Sequence, residues 1–247
     1  MTPVPAVVAH RGGALLWPEN SRQAVEGACA LGVDQVQVDV HLSADDEVVV
    51  LHDATLDRTT TGTGPVGLHR WHELRRLRLR GTADEPLLRL EDAASIVAGS
   101  TALLRLEIKV GPGGPYKGFA ERIVAALERQ GMTGRTVLSA FSVATMAGWA
   151  VLCPAVPRVL LVNGPTLAAT PVPELAAHAA AQGCTTLGAR WSGLDPGRAE
   201  AVRAAGLRLC CFGCNDDAAI TAAFGLGADE IVTDRPDLAL RMRSSRG

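Results

Sequence analysis

The sequence has almost no net charge and almost no lysine. Among its 247 residues, 24 are basic and 26 are acidic, so the formal net charge at pH 7 is only −2. Proteins that bind nucleic acid rely largely on positive charge that faces the phosphate backbone, so we expect no nucleic-acid partner. Only two of the basic residues are lysines, Lys109 and Lys117, and 22 are arginines. Composition bias explains most of this imbalance; a specific chemical task for a remaining lysine is the alternative.

The sequence also lacks long apolar runs, and its first residues do not resemble a secretion signal. A membrane-spanning helix needs about 20 consecutive apolar residues, and no run in this sequence approaches that length. The first ten residues have neither a basic region nor a long apolar stretch, so they do not resemble a secretion signal. We therefore expect no transmembrane segment and a cytoplasmic location.

The six cysteines are scattered through apolar segments of a long chain, unlike the dense spacing of a small disulfide scaffold. Cys211 and Cys214 match the spacing of half a zinc knuckle, but no second pair follows. An odd offset in a β-type run also points two side chains to opposite faces. We therefore expect reduced cysteines, as in a cytoplasmic protein, and no zinc site.

Short apolar runs alternate with alanine-rich helical patterns along the whole chain. The strand candidates span residues 7–10, 35–40, 48–52, 103–110, 136–141, 157–162, 185–190, 207–212 and 230–233. Several are apolar throughout, as strands buried on both faces are. The helix candidates span residues 21–31, 90–98, 119–130, 143–152, 174–182, 196–205 and 216–226.

The second and third strand candidates lie too close together for a parallel connection. Seven residues separate Val40 from Val48, whereas a parallel crossover needs about a dozen or more, so this pair is predicted to form an antiparallel hairpin. Without the third candidate, eight strands remain, joined by helix-length connections, which is the pattern of a (β/α)8 TIM barrel. We predict one TIM-barrel domain over residues 1–247, with a small insertion after the second barrel strand at about residues 41–88.

The predicted insertion contains an arginine-rich stretch between residues 69 and 80. Its arginines could contact an anionic lipid surface. A solvated helix face with Leu74 and Leu77 packed beneath it is favoured instead, because long arginine side chains commonly cover apolar surface.

Polar residues follow the predicted barrel strands. TIM-barrel chemistry takes place at the carboxyl ends of the strands. The sequence places the following residues there: His10, Arg11, Gln37, Asp39, Glu107, Lys109, Ser139, Phe141, Arg190, Phe212, Asn215 and Asp234. The hairpin returns towards the same end at His52 and Asp53.

Two pairs among these residues predict a cation site. Gln37 and Asp39 share one face of their strand, and Glu107 and Lys109 share one face of the next barrel strand. Buried carboxylates are costly without partners, and carboxylate and amide oxygens are ligands that Ca²⁺ and Mg²⁺ accept. A divalent metal held by Gln37, Asp39 and Glu107 is favoured over the alternative, a layer of salt bridges with Lys109 and Arg11.

Two histidines at the same end of the barrel are candidates for proton transfer. An unperturbed imidazole titrates near neutral pH, and His10 and His52 are each followed by a charged residue, Arg11 and Asp53. Arg11 and Lys109 could neutralise a phosphate, arginine through a bidentate fork and lysine as a point charge. A metal, two imidazoles and two cations together suit phosphoryl transfer.

A series of short motifs extends from His10 to about Leu238. They are His10-Arg11-Gly12-Gly13, Pro18-Glu19-Asn20-Ser21, Gln37-Val38-Asp39-Val40, residues 45–53, residues 56–60, Glu107-Ile108-Lys109, Ser139-Ala140-Phe141, Phe212-Gly213-Cys214-Asn215 and residues 227–236. In this order they resemble the motifs of the glycerophosphodiester phosphodiesterase family. The resemblance implies a (β/α)8 barrel with a small insertion, and hydrolysis of a small-molecule glycerophosphodiester to sn-glycerol 3-phosphate and an alcohol.

The resemblance also implies a role for each site residue. The general acid and base would be His10 and His52, with the glycerol 2-hydroxyl attacking phosphorus and water opening the cyclic phosphate that results. The implied metal ligands for Mg²⁺ or Ca²⁺ are Gln37, Asp39 and Glu107. The remaining roles are phosphate binding by Arg11 and Lys109, a glycerol pocket lined by Phe141 and Phe212, and support of the site by Glu19. Homo-oligomerisation is left open.

Two positions depart from the family pattern. Gln37 stands where the family usually has glutamate, so the site loses a negative charge and should bind a cation less tightly. Phe212 stands where the family often has tryptophan, and this replacement preserves a flat apolar side chain. With Gln37 at this position, three alternatives remain open: weaker metal binding, binding of a different metal, or a phosphodiester-binding barrel with weak or no turnover. A related lyase that releases a cyclic product from choline phospholipids is a further alternative.

Overall fold

The structure, a computed structural model, describes residues 4–245 and contains nine strands and ten α-helices within that range. The strands are β1 (Ala6–Ala9), β2 (Gln35–Leu42), β3 (Val48–Val50), β4 (Leu103–Ile108), β5 (Thr136–Ala140), β6 (Arg158–Val162), β7 (Thr186–Arg190), β8 (Arg208–Phe212) and β9 (Glu230–Thr233). The helices are α1 (Arg22–Leu31), α2 (Trp71–Leu74), α3 (Leu90–Ala98), α4 (Phe119–Arg129), α5 (Val143–Leu152), α6 (Gly164–Ala169), α7 (Val172–Ala181), α8 (Pro196–Ala204), α9 (Asp217–Gly225) and α10 (Pro236–Ser244).

Eight of the strands close into a parallel barrel. Their order round the barrel is β1, β2, β4, β5, β6, β7, β8 and β9, and β9 pairs with β1 to complete the ring. Strand β3 lies outside this ring and pairs antiparallel with the end of β2, with Val50 opposite Val40. Each of the nine strand candidates coincides with an observed strand, and the predicted TIM barrel with its hairpin insertion is confirmed.

Strand alternation divides the core into two layers. Side chains that point outward from the strands pack against the helices and form the larger cluster, which includes Val7, Val36, Leu104 and Ile220. Side chains that point inward fill the barrel, among them Val8, Val137, Val159, Leu161, Cys210 and Val232. Because the interior is packed, open space remains only towards an end of the barrel, which is where TIM barrels place their chemistry.

The insertion has an apolar core of its own beneath the arginine-rich stretch. Leu74 is fully buried there and Leu77 packs against the same cluster, as expected. The expected helix is much shorter than the arginine-rich stretch, because α2 ends at Leu74. Beyond it the backbone pairs with other segments instead: the N–H of Leu79 donates to the carbonyl of Glu85, and the N–H of Arg80 to that of Thr59.

Five of the ten α-helices within residues 4–245 begin at a side chain that accepts a backbone N–H of the first turn. The Ser21 hydroxyl accepts the N–H of Ala24 at 3.1 Å and starts α1.

All six cysteines are free, in agreement with the expectation of reduced thiols. Within residues 4–245, no helix combines the length and apolar character that crossing a bilayer requires.

Candidate active site

A cavity of about 270 Å³ opens among the residues that end the barrel strands. Its lining contains His10, Arg11, Gln37, His52, Arg105, Glu107, Lys109, Ser139, Phe141, Leu161, Arg190, Phe212, Gly213, Asn215, Val232 and Asp234. Eight of the ten predicted site residues are in this list. The other two lie directly behind it: Asp39 has no exposed surface, and Glu19 contacts Arg11.

A tight turn after β1 places His10 and Arg11 at the cavity. Arg11 has a φ of 52°, in the left-handed region that non-glycine residues rarely adopt. Its backbone is held from both sides, because its N–H donates to Oε1 of Gln37 at 2.6 Å and its carbonyl accepts the N–H of Asn20 at 3.0 Å. Gly12 follows at a φ of 81°, and a Cβ there would lie 2.7 Å from Ala24. The strained turn is thus fixed by its surroundings, as is common at functional sites.

His10 is held by a carboxylate that directly follows the last barrel strand. Its Nδ1 lies 2.7 Å from Oδ1 of Asp234, whose other oxygen accepts the side-chain amide of Asn215 at 2.6 Å. Burial by itself would raise the pKa of Asp234, but the hydrogen bond and charge of His10 outweigh it and leave the pKa below its usual range. An ionised Asp234 bonded at Nδ1 leaves Nε2 of His10 free for a substrate.

His52 is held in the same way by its neighbour in sequence. Its Nδ1 lies 2.6 Å from Oδ1 of Asp53, and Arg58 donates to both oxygens of that carboxylate at 2.6 and 2.9 Å. The Arg58 hydrogen bond, together with His52, holds the pKa of Asp53 well below its usual range. Asp53 therefore stays ionised and fixes the His52 ring.

Glu19 joins the two halves of the site. It accepts two hydrogen bonds from Arg58, both at 2.8 Å, and one from Arg11 at 3.0 Å. Burial alone would raise the pKa of Glu19, but the Arg58 hydrogen bond and the charges of Arg11 and Arg58 lower it. A continuous chain of charged contacts thus runs from His52 through Arg58 and Glu19 to Arg11.

Another histidine, His41, is buried and contacts the backbone of His52. Nε2 of His41 lies 3.2 Å from the His52 carbonyl, and Nδ1 lies 2.8 Å from the Tyr116 hydroxyl. Burial lowers the pKa of His41 to about 4. A neutral ring that donates from Nε2 and accepts at Nδ1 satisfies both contacts.

The acidic residues form a compact network with Lys109. The Lys109 ammonium contacts Glu107 and lies 3.0 Å from Oδ1 of Asp39. Asp39 also accepts the side-chain amides of Gln37 at 3.1 Å and Asn20 at 2.9 Å. Burial would raise the pKa of Asp39, but the charge of Lys109 and its other cationic neighbours outweigh it and keep the pKa well below its usual range.

These contacts test whether the residues suit a divalent cation. The described residues contain no cluster of three or more His, Cys, Asp or Glu side chains arranged for a metal. Asp39 and Glu107 supply two carboxylates, while the Gln37 oxygen accepts the N–H of Arg11 and its amide nitrogen points to Asp39. Two carboxylates fit Mg²⁺, which proteins commonly bind through one or two such groups plus water and substrate phosphate. In the structure itself the alternative arrangement, salt bridges to Lys109, joins these side chains.

An aromatic pair forms the opposite wall of the cavity. The rings of Phe141 and Phe212 meet edge to face, with centroids 6.0 Å apart and planes at 81°. Phe141 is 44% exposed, an unusual exposure for a large apolar side chain. The pair gives the cavity an apolar surface that carbon atoms of a ligand could cover.

Several residues that build the site had no assigned role in the sequence. Asp234 and Asn215 were recognised only as strand-end residues, and Asp53 only as the neighbour of His52; the structure pairs them with the histidines. Their position at strand ends within the family motifs was the available signal. The cavity residue Arg105 lacks such a signal, because it lies inside β4 and its contacts depend on barrel closure.

Comparison with known proteins gives a family match over most of the chain. The model of the "Glycerophosphoryl diester phosphodiesterase family" matches residues 10–238. A glycerophosphodiester phosphodiesterase from Caldanaerobacter subterraneus is 33% identical over 141 residues, 55% of this chain and 58% of that protein. The matched part thus spans less than two thirds of that relative. A glycerophosphodiester phosphodiesterase from Bacillus altitudinis is 27% identical over 249 residues, 96% of this chain and 97% of that protein.

A solved structure is similar over the full length. It is the crystal structure of a candidate glycerophosphoryl diester phosphodiesterase from Agrobacterium tumefaciens, with a TM-score of 0.94 at 31% identity, and the match covers 99% of each chain. The region matched by the family model includes both cavity histidines, the acidic residues, Lys109 and the aromatic wall.

Proposed function

The chain belongs to the glycerophosphoryl diester phosphodiesterase family, and from that premise we propose that it hydrolyses glycerophosphodiesters to sn-glycerol 3-phosphate and an alcohol. The observation that carries the proposal is the pair of imidazoles, His10 and His52, each bonded to a carboxylate and both lining a cavity that also presents Lys109. Breaking a phosphodiester needs a base for the attacking oxygen and an acid for the leaving oxygen. Imidazole is the side chain best suited to both tasks near neutral pH.

The two histidines would act through Nε2, the nitrogen that their carboxylate partners do not occupy. A carboxylate at Nδ1 favours the tautomer with a proton on that atom, so Nε2 can accept one. One imidazole removes the proton of the attacking hydroxyl. The other, protonated, passes its proton to the departing oxygen, so the alcohol leaves neutral. By the family resemblance, the glycerol 2-hydroxyl attacks first and water then opens the cyclic phosphate.

The phosphate charge would be balanced by Lys109 and Arg11. Both cations line the cavity, and Glu19 orients the Arg11 guanidinium through a hydrogen bond of 3.0 Å. A divalent cation, Mg²⁺ or Ca²⁺, would be held by Asp39 and Glu107 with Gln37 as a neutral third ligand. When bound, it supplies Lewis-acid stabilisation of negative charge on the phosphoryl oxygens.

The aromatic wall would receive the glycerol half of the substrate. Phe141 and Phe212 offer apolar surface against which the carbon atoms of glycerol can pack. Turnover is favoured over a barrel that only binds phosphodiesters, because both imidazoles keep the carboxylate partners that proton transfer requires.

Identification of the reaction product tests the proposal. The purified protein is incubated with sn-glycero-3-phosphocholine and sn-glycero-3-phosphoethanolamine, with Mg²⁺, with Ca²⁺ and with chelator, and the phosphorus products are followed by ³¹P NMR. The expected product is sn-glycerol 3-phosphate, formed faster with a divalent cation. A cyclic phosphate as the final product would identify a lyase instead, and no turnover of any glycerophosphodiester would refute the proposal.

A further inference from the structure

His52 reaches the cavity from the insertion, two residues beyond the end of β3 at Val50. The carboxylate of Asp53 orients its ring at Nδ1. Its backbone is held by a different residue, His41 of β2, whose Nε2 lies 3.2 Å from the His52 carbonyl oxygen. The place from which the candidate catalytic imidazole projects therefore depends on His41 and on which ring nitrogen of His41 carries the proton.

The hydroxyl of Tyr116 supports the one tautomer of His41 that can hold this carbonyl. A carbonyl oxygen only accepts, so Nε2 of His41 must carry the proton for the contact to be a hydrogen bond. Nδ1 then has a lone pair, and the Tyr116 hydroxyl lies 2.8 Å from it and donates to it. His41 is 1% exposed, and an unpaired polar atom at such a position is costly. The two hydrogen bonds of the ring thus depend on each other.

Tyr116 has a fixed position although it belongs to a glycine- and proline-rich loop. It is the only tyrosine in the sequence. Its ring meets the rings of His41 and Phe119 edge to face, with centroids 5.8 and 5.2 Å apart. Gly111 leaves room for it, because a Cβ there would lie 2.9 Å from Cε1 of Tyr116. Within the described part of the chain, its hydroxyl makes the one hydrogen bond that joins residues 110–117 to another segment.

We propose that His41 and Tyr116 are positioning residues for His52. The inference rests on the proposed function, in which His52 transfers a proton at Nε2. Neither residue of the pair lines the cavity, so both act through the His52 backbone and not on the substrate. Proton transfer depends on the distance between the imidazole and the reacting oxygen, and a displacement of about 1 Å can lower a rate about 100-fold.

Substrate binding should be much less sensitive to this pair. Lys109, which would balance the phosphate charge, has carboxylate partners of its own in Asp39 and Glu107. The aromatic wall of Phe141 and Phe212 lies elsewhere in the lining. Loss of the pair should therefore lower kcat and leave KM nearly unchanged, which is the pattern of an interaction that matters only in the transition state.

Removal of one hydroxyl tests the inference. Tyr116→Phe deletes the hydrogen bond to His41 and keeps both ring contacts. For release of sn-glycerol 3-phosphate from sn-glycero-3-phosphocholine, kcat is expected to fall at least about threefold, with KM within about twofold of wild type. The matched control is Thr136→Val, at the start of β5, since the buried Thr136 hydroxyl also makes one hydrogen bond, of 2.8 Å to the Met132 carbonyl. Denaturant unfolding measures the stability of both variants.

Two substitutions of His41 extend the test. His41→Leu removes both hydrogen bonds and should lower kcat at least about tenfold. His41→Gln has an amide nitrogen the same number of bonds from Cβ as Nε2 of histidine, and by donating to the His52 carbonyl it should keep kcat within about threefold of wild type. Tyr116→Phe tests the inference by itself if His41→Leu does not fold.

The outcomes separate the inference from the proposed function. Wild-type kcat in folded Tyr116→Phe would overturn the inference, and so would a loss that lies mainly in KM. An equal loss of kcat in Thr136→Val would also overturn it, because the effect would then follow stability alone. All three results leave the proposed function intact, since they need an active wild type. Absence of turnover by the wild type would overturn both.

Discussion

Nδ1 of His10 lies 2.7 Å from Oδ1 of Asp234, although the two residues are 224 positions apart in the sequence. Closure of the barrel between β1 and β9 brings them together, because each follows the carboxyl end of one of these neighbouring strands. Asn215, just beyond β8, completes the arrangement by binding Asp234 at 2.6 Å. One end of the barrel thus fixes the orientation of a candidate catalytic imidazole, which follows β1, through residues that follow β8 and β9.

Removal of the negative charge from Asp234 should therefore impair catalysis without unfolding the protein. In Asp234→Asn the partner of Nδ1 can present an amide N–H, which favours the wrong tautomer of His10. We expect kcat to fall at least about tenfold, with a KM within about threefold of wild type. The exposed Asp217→Asn on α9 is the control. Wild-type kcat in Asp234→Asn would show that His10 does not need this carboxylate.

The ionic cluster around Glu19 should make stability depend on acidity. The pKa of Glu19 is lowered from 4.5 in the folded protein, so below about pH 4.5 the unfolded chain binds more protons than the folded one. Its contribution is therefore complete above that pH and is lost as the pH falls through the folded value. Glu19→Gln should lower the free energy of unfolding by about 1–3 kcal/mol at pH 7.

Denaturant unfolding of wild type and Glu19→Gln at pH 7, 5 and 3.5 measures this effect. The difference between the two proteins should shrink as the pH decreases, while the exposed Glu121→Gln should stay close to wild type throughout. A difference that is constant or grows towards pH 3.5 would contradict the assigned direction of the pKa shift.

Replacement of Gln37 by glutamate should strengthen cation binding. The change removes the amide hydrogen bond of 3.1 Å to Asp39 and puts a third carboxylate beside Asp39 and Glu107. Without metal the added repulsion should destabilise the fold, whereas a divalent cation should bind at least about tenfold more tightly. Calorimetric titration with Mg²⁺ and Ca²⁺ measures the affinity, with Gln130→Glu, at a half-buried position that follows α4, as the control. Unchanged or weaker affinity in folded Gln37→Glu would argue against a metal at these residues.

The buried ion pair inside the barrel should be costly to break from one side. Arg105 is 1% exposed and donates to Glu230 at 2.7 Å. Arg105→Met leaves that carboxylate buried, with Arg208 at 3.5 Å as its remaining ion-pair partner, and should lower the free energy of unfolding by about 3–5 kcal/mol. The double variant Arg105→Met with Glu230→Met should recover much of this loss in denaturant unfolding. A double variant no more stable than the single one would contradict the ion-pair explanation.

Local sequence patterns predicted the strands well because each barrel strand is a short apolar run between helical patterns. They missed α6 and α10, whose main signals are a capping Asn163 and the proline at the start of α10. They also placed both site histidines, and Lys109, one of only two lysines, at the cavity. The interpretation of that lysine as chemically specific stays a prediction. A single domain over residues 1–247 with an insertion at about 41–88 and a cytoplasmic location also stay predictions, and homo-oligomerisation stays open.

Contacts that depend on barrel closure could not be predicted in this way. Arg105 and Glu230 lie 125 residues apart, and neither belongs to a pattern that points to the other. The orientation of the Gln37 amide depends on the strained backbone of Arg11, which donates to its oxygen. Such partnerships follow from the three-dimensional arrangement of strand ends and not from the spacing of residues along one strand.

The most direct test of the two-histidine account is kcat for release of sn-glycerol 3-phosphate by single-histidine variants. His10→Ala and His52→Ala are compared with wild type and with His178→Ala, an exposed histidine on α7, after denaturant unfolding has shown that all are folded. The account predicts a loss of at least about 100-fold in each of the first two variants, and wild-type turnover in the third. Turnover within about threefold of wild type in either folded cavity variant would contradict it.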